Sequence, residues 1–234
     1  MMNKVKAAWA ALAIASVAFP ATATAAQPPA KKVAAKTKSP ARAAPARPAG
    51  PPLTPTGIDV LNWVVRSGDN GDLPFMVIDK VAAVVALFDA TGKPLGTTSA
   101  LFGITPGDDS SPGVGDRELS DIAPEERTTP AGRFVSKFGP AAGNRRVLWV
   151  DYSTSISLHP VITTNKKERR VERLRTASAD DNRITFGCIN VPTRFYTNVV
   201  VPNFKKDIGV VYILPEIKSL SEAFPAYQPQ VVSR

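Results

Sequence analysis

Two side chains with acid–base or nucleophilic potential occur once each in this 234-residue sequence. Cys188 lies in Arg183-Ile-Thr-Phe-Gly-Cys-Ile-Asn-Val-Pro192, and His159 lies 29 residues upstream in Ser-Ile-Ser-Leu-His-Pro. Only a thiolate attacks, so a thiol needs a base or a cationic neighbour to act as a nucleophile at neutral pH. The chain supplies a single imidazole for that task. The same residues also suit structural roles, Cys188 as a small buried hydrophobe and His159 as a hydrogen-bonded core residue. The local sequence favours chemistry. Gly187 permits a tight backbone and close approach of a substrate, and Pro192 suits the first turn of a helix over about 192–201. Such a helix would turn its positive end toward the thiol, and the amides of Gly187 and Cys188 would face a developing oxyanion.

The elements that must hold these residues read as short strands. Runs at 155–158 and 184–186 flank His159 and Cys188, and period-2 or apolar runs at 75–79, 84–89, 95–101, 133–138, 147–152 and 208–214 are further strands. Ser157 shares a strand face with His159 by this two-residue period and is a candidate to orient it, as is a backbone carbonyl. Ile58–Val65 reads as a short amphipathic helix. The expected class is mainly β, with a few short helices. Residues 102–130 form a long Gly-, Asp-, Ser- and Pro-rich loop, which suits a flap or cleft wall. Its acidic residues do not follow the spacing of a calcium-binding EF-hand. The 165–182 stretch between His159 and Cys188 holds a basic run, Lys166–Arg175, with six basic and two acidic residues. A polar, Pro-containing tail after Pro215 is expected on the surface.

Charge and composition set the organisation. Lys4 and Lys6, an apolar run from Ala7 to Ala18, and small residues at Ala23–Ala26 form the three-part pattern of a secretory signal over 1–26, and imply a protein exported to the periplasm or cell envelope. Residues 27–57 are rich in Ala, Pro, Lys and Arg and read as an extended linker whose charge could associate with anionic lipid or wall polymer. Residues 58–234 form one domain. Of 29 Lys and Arg, eight fall in 1–57 with no acid, so 58–234 carries 21 against 20 acids, a net charge of +1. The overall +9 therefore gives no argument for nucleic-acid binding. One Cys and one His exclude an intrachain disulfide and the usual N/S metal site, so no cofactor or metal is expected.

Thr185-Phe-Gly-Cys-Ile-Asn190 resembles the cysteine signature of the L,D-transpeptidase (YkuD-type) catalytic domain family. Ser157-Leu-His159 resembles its histidine strand, Thr129-Pro-Ala-Gly-Arg-Phe134 its Thr-Pro-x-Gly-x-Phe segment, and 78–92 its opening hairpin. The order of these parts, across about 73–215, matches. Three features depart from the pattern. Phe186 stands where a second histidine is usual, Pro160 follows the histidine, and the interval from His159 to Cys188 is long.

The resemblance implies an L,D-transpeptidase-like fold and acyl transfer on peptidoglycan stem peptides through a thioester on Cys188. His159 would be the base, and Gly187 would contribute to the oxyanion site. Asn190, Arg183 and Ser157 are the candidate substrate-binding residues, loop hydrogen bonding and surface charge being the plainer roles for the first two. A hydrolase of the same fold, acting as an L,D-carboxypeptidase or on wall–protein links, and a non-catalytic wall-binding scaffold are the rival readings.

Overall fold

The computed structural model describes residues 50–141, 145–204 and 208–229. The signal-like segment and the linker up to residue 49 lie outside these. Ten strands follow in chain order: β1 (Phe75–Asp79), β2 (Val84–Phe88), β3 (Pro94–Ser99), β4 (Phe102–Gly103), β5 (Gly132–Ala141), β6 (Arg145–Asp151), β7 (Ile156–Pro160), β8 (Arg183–Thr185), β9 (Ile189–Val191) and β10 (Ile208–Ile213). Eight of them form one mixed sheet in the order β3-β2-β1-β10-β5-β6-β7-β9, while β4 and β8 make a small parallel pair. The fold is mostly β with a few short helices, as expected from the strand-like runs. β4 and β9 were not read from the sequence, since two or three residues are too few to show a period.

The central strands read as unbroken apolar runs because both of their faces are covered. Alternate residues of β1, β2 and β10 point to opposite sides. Phe75, Val77 and Tyr212 meet Val60, Trp63 and Val64 of α1 (Pro55–Ser67) on one face. Met76, Ile78 and Val211 meet Phe195, Val199 and Phe204 on the other. Phe195 and Val199 belong to a helical stretch that runs through Thr193–Phe195, a π-helical Tyr196–Val200 and Val201–Asn203, and Phe204 follows its end.

The helix α1 starts three residues before the boundary drawn at 57/58, and the physical reason is its cap. Thr54 Oγ1 accepts a hydrogen bond from the Gly57 amide at 3.3 Å and donates to Asp79 Oδ2 at 2.6 Å, while the Thr54 amide donates to the same oxygen at 2.9 Å. Pro55 occupies the first helical position, where its missing N–H costs nothing. Leu53 already packs against the core. Thr54→Ala should therefore lower the unfolding free energy by about 1–2 kcal/mol in urea titrations, with Thr54→Ser recovering most of it. An unchanged midpoint in the alanine variant would show that Asp79 holds the helix start without it.

The tail also departs from expectation. Phe224 is buried and stacks on Trp63 with ring centroids 6.0 Å apart, and it meets Tyr212 at the same distance. An apolar pocket left by α1 and β10 captures it, which no local period could show.

The 102–130 loop is tied down from below. Lys80, in the turn after β1, is fully buried and donates to Asp108 Oδ1 at 2.9 Å, to the Thr129 carbonyl at 2.9 Å and to the Gly107 carbonyl. Asp108 also accepts from the amides of Glu216, Ile217 and Lys218 at 2.7–2.8 Å. One buried ion pair thus joins the β1–β2 turn, the loop and the C-terminal tail. Burial opposes the charge on Asp108, but these amides and Lys80 more than offset it and hold the carboxyl at about 2.

Candidate active site

β7 and β9 are parallel neighbours at one edge of the sheet, and their register pairs Leu158 with Ile189 and His159 with Asn190. One residue earlier, Ser157 falls opposite Cys188, and the side chains meet, with Oγ 3.5 Å from Sγ. Alternate residues of a strand share a face. Ser157 and His159 from β7 therefore form a two-by-two patch with Cys188 and Asn190. Four of the six site residues expected from the sequence come together in this patch, with Gly187 adjoining it.

The turn carrying Cys188 is laced by two buried threonines. Thr185 Oγ1 donates to the Cys188 carbonyl at 2.7 Å and accepts from the Gly187 amide at 3.1 Å. Thr129 Oγ1 donates to the Gly187 carbonyl at 2.7 Å and accepts from the Gly103 amide at 2.9 Å. Both threonines lie inside the motifs quoted above, yet only the folded chain gives them a role. Gly187 has φ = 124°, and a Cβ there would come within 2.7 Å of the Thr128 carbonyl oxygen and 2.8 Å of Ile156 Cδ1. The position requires glycine.

Two expectations for this turn are corrected. The Gly187 amide is spent on Thr185, which leaves the Cys188 amide as the candidate oxyanion donor. The helix after Pro192 starts at Thr193, and the whole of β9 separates it from Cys188. At about 3.3 Å per extended residue its end lies roughly 10 Å or more along the chain from Cys188, beyond the reach of a helix-end field that fades within a turn.

His159 is held through both ring nitrogens. Nδ1 lies 2.8 Å from the Pro160 carbonyl, which can only accept, so Nδ1 carries the proton. Nε2 lies 3.2 Å from Asn190 Nδ2. The orientation of that amide is set from its far side, where Arg170 Nη1 donates to Asn190 Oδ1 at 2.8 Å. The amide nitrogen must then face the ring, and Nε2 must accept. Burial first of all, with Arg145 and Arg170 nearby, holds the imidazole pKa below its ordinary 6.5, against the pull of the Pro160 carbonyl. His159 is thus a neutral acceptor two residues along the strand from the level of the thiol, with its lone pair on Asn190.

Arg183 is not part of the patch. Its guanidinium pairs with Glu216 and donates to the Lys80 carbonyl at 3.3 Å, beside the buried Lys80–Asp108 pair. Its bonds to Glu216 and the Lys80 carbonyl tie β8 to the tail.

Cys188 is partly exposed and sits where two cavities adjoin. The larger, of about 600 Å³, is lined by His159, Ser157, Arg145, Arg146 and Trp149 as well as Cys188. The smaller, of about 240 Å³, is walled by the 102–130 loop through Val114, Arg117, Leu119 and Glu126, and by Phe186. Arg117 and Glu126 form a two-bonded ion pair at 2.9 and 2.8 Å that stiffens this wall. Phe186 lies beneath the Arg127 guanidinium, 3.9 Å from ring centroid to Cζ. Of the two expectations for this loop, flap and cleft wall, the structure has the wall, and it reaches the thiol. Among the described residues no group of three His, Cys, Asp or Glu side chains is placed to hold a metal ion.

The fold and site define a β-rich domain with a single accessible thiol beside a neutral imidazole in a divided cleft. No protein-family model matches the chain, and no curated protein matches it in sequence. Among solved structures it is similar to the L,D-transpeptidase (residues 123–326) of Xylanimonas cellulosilytica DSM 15894, with 13% identity over 61% of this chain and 61% of that one and a TM-score of 0.36. It is also similar to the catalytic domain of the E. faecium L,D-transpeptidase solved by NMR, with 15% identity over 61% of this chain and 98% of that one and a TM-score of 0.32. The chain spans about 61% of the first of these structures. Similarities this low carry no weight in the functional reading.

Proposed function

We propose that this protein is an exported, cysteine-dependent acyltransferase acting on peptidoglycan stem peptides. The observation that carries the reading is that the only cysteine and the only histidine, far apart in sequence, come to one face of the β7–β9 edge, two residues apart in register, and line one cavity. The substrate class follows from the likeness of 185–190, 157–159 and 129–134 to L,D-transpeptidase motifs. The export signal follows from residues 1–26, and the basic linker would keep the domain near anionic envelope polymers.

In this reaction the Cys188 thiolate attacks the carbonyl carbon of the residue preceding a terminal D-amino acid. The thiol proton passes to His159 Nε2, directly or through Ser157 Oγ, once the ring exchanges Asn190 for the thiol side. The Cys188 amide donates to the oxyanion of the tetrahedral intermediate, an interaction commonly worth about 3–4 kcal/mol. Collapse breaks the C–N bond, the imidazolium protonates the departing amine, and a thioester remains on Sγ. An amine of a neighbouring stem, or water, then attacks the thioester and releases the thiol.

One observation favours the scaffold reading: His159 Nε2 is bonded to Asn190 and not to the thiol. Intact-protein mass spectrometry separates the two. Incubated with tetrapeptide-stem muropeptides, the protein should release the terminal D-amino acid and carry the remaining stem as a thioester. A carbapenem should acylate the same sulfur. Absence of any adduct with stems and carbapenem alike would replace the enzyme with a wall-binding protein.

A further inference from the structure

The insertion between His159 and Cys188 contains a charged group bonded to the histidine's partner, Arg170 on Asn190. Asn165 caps a 3₁₀ turn over Lys166–Glu168, and Arg169 with φ = 50° breaks it, so that Arg170 starts the short helix α2 (Arg170–Arg173). Much of the basic run is paired internally. Arg170 Nε donates to Glu168 Oε2 at 2.5 Å, Arg169 pairs with Glu172, and Arg173 Nε donates to the Glu168 carbonyl at 2.8 Å. Leu174 packs inward. The run is therefore a docked element with half its charge committed.

We propose that Arg170 is a positioning residue which, through the side chain of Asn190, fixes His159 as its Nδ1–H tautomer with Nε2 held as an acceptor. Its importance for catalysis rests on the reading of His159 as the base, but the positioning itself does not. An asparagine amide alone is ambiguous, because a half-turn about its last bond exchanges O and N. With Oδ1 toward the ring it would favour a proton on Nε2, which is the wrong tautomer for a base acting through that atom. The guanidinium has only donors, so it can bond only to Oδ1 and must turn Nδ2 toward the ring. Asn190 is buried, and its backbone is locked to Leu101 at 2.8 and 3.0 Å, so the side chain has little other freedom. The charged and titratable groups around the imidazole are Arg145 and Arg146 from β6, Arg170 with its partner Glu168 from the insertion, and Cys188 from the turn before β9. Protonating Nε2 would set its N–H against the Asn190 N–H.

The single histidine makes the test direct. The protein is purified without a histidine tag and labelled with [15N]histidine, so that one imidazole appears in the spectrum. Wild type should show a protonated Nδ1 and a bare Nε2 at neutral pH, with a titration midpoint below 6.5. Arg170→Ala and Arg170→Gln should shift the tautomer ratio toward Nε2–H by about fivefold or more, the effect of losing one ordinary hydrogen bond, and should raise the midpoint. Asn190→Asp puts a carboxylate at Nε2 and should raise the midpoint by about a unit or more. Arg170→Lys should restore the wild-type tautomer in part, since an ammonium can donate to Oδ1 without the planar fork. If Arg170→Gln and Asn190→Asp keep the wild-type melting temperature and show the wild-type tautomer and midpoint, the assignment is wrong. If the tautomer moves as expected but the pH profile of carbapenem acylation does not follow the new midpoint, the positioning stands and His159 is not the base.

Discussion

Cys188→Ala is expected to abolish the stem-peptide and carbapenem adducts outright, and His159→Ala to slow acylation by about a hundredfold or more. The first loss is complete because the thioester has no other sulfur on which to form: the sequence holds one cysteine. Cys188→Ser should fail almost as fully, since a hydroxyl is far harder to deprotonate with the same base. The loss on removing His159 is the ordinary contribution of a general base, and it should narrow as pH rises and hydroxide takes over deprotonation. In wild type the acidic limb of the acylation profile should lie below 6.5, because burial keeps the imidazole neutral to lower pH than in a free peptide. Acylation rates measured by intact mass across pH read all of these outcomes. Continued turnover in Cys188→Ala would end the thioester mechanism.

Asp108→Ala should lower the unfolding free energy by about 3–5 kcal/mol, the largest loss expected from a single change outside the site. It strands a fully buried ammonium and frees three backbone amides at once. Lys80→Met, which keeps the volume and leaves Asp108 its amides, should cost less. The pair also sets an acid limit. The Asp108 pKa falls from 3.8 to about 2 on folding, so its contribution, about 2 kcal/mol, is present above pH 4 and is lost as pH falls toward 2. His159 acts in the same direction at higher pH, since a histidine kept neutral by burial adds nothing above pH 6.5 and destabilises the fold below it. Urea titrations between pH 2 and 7 check both steps. The same stability profile in Asp108→Asn as in wild type would show that Lys80 alone anchors the loop.

The anchoring has a functional side. Asp108 and Lys80 fix the root of the loop whose far part walls the smaller cavity beside Cys188. The sequence suggests a solvated flap or a cleft wall for 102–130 and does not tell its acidic residues apart. Asp108 is instead a core ion-pair partner, and Glu126 is bound to Arg117. Charge spacing along a loop does not reveal which carboxylates will be desolvated, because that depends on amides brought from Glu216, Ile217 and Lys218, over a hundred residues away.

The sequence by itself determined the β-rich class, most of the strands of the main sheet, and the candidate site residues. These are local properties: apolar runs buried on both faces, turn residues between them, and single copies of the two chemically distinctive side chains. It also singled out Gly187, whose positive φ is a local demand. Only the tertiary structure decided the rest. Pairing β7 with β9 in parallel register set Ser157 against Cys188 and Asn190 against His159, because register is fixed by contacts between distant segments and not by either strand alone. Arg183 met Glu216 because the C-terminal tail, 33 residues on, packs beside β8 and the buried Lys80. The imidazole's tautomer was out of reach of any reading of residue types, because it is set by a chain of donors and acceptors from Arg170 to the Pro160 carbonyl that exists only once three segments have packed together.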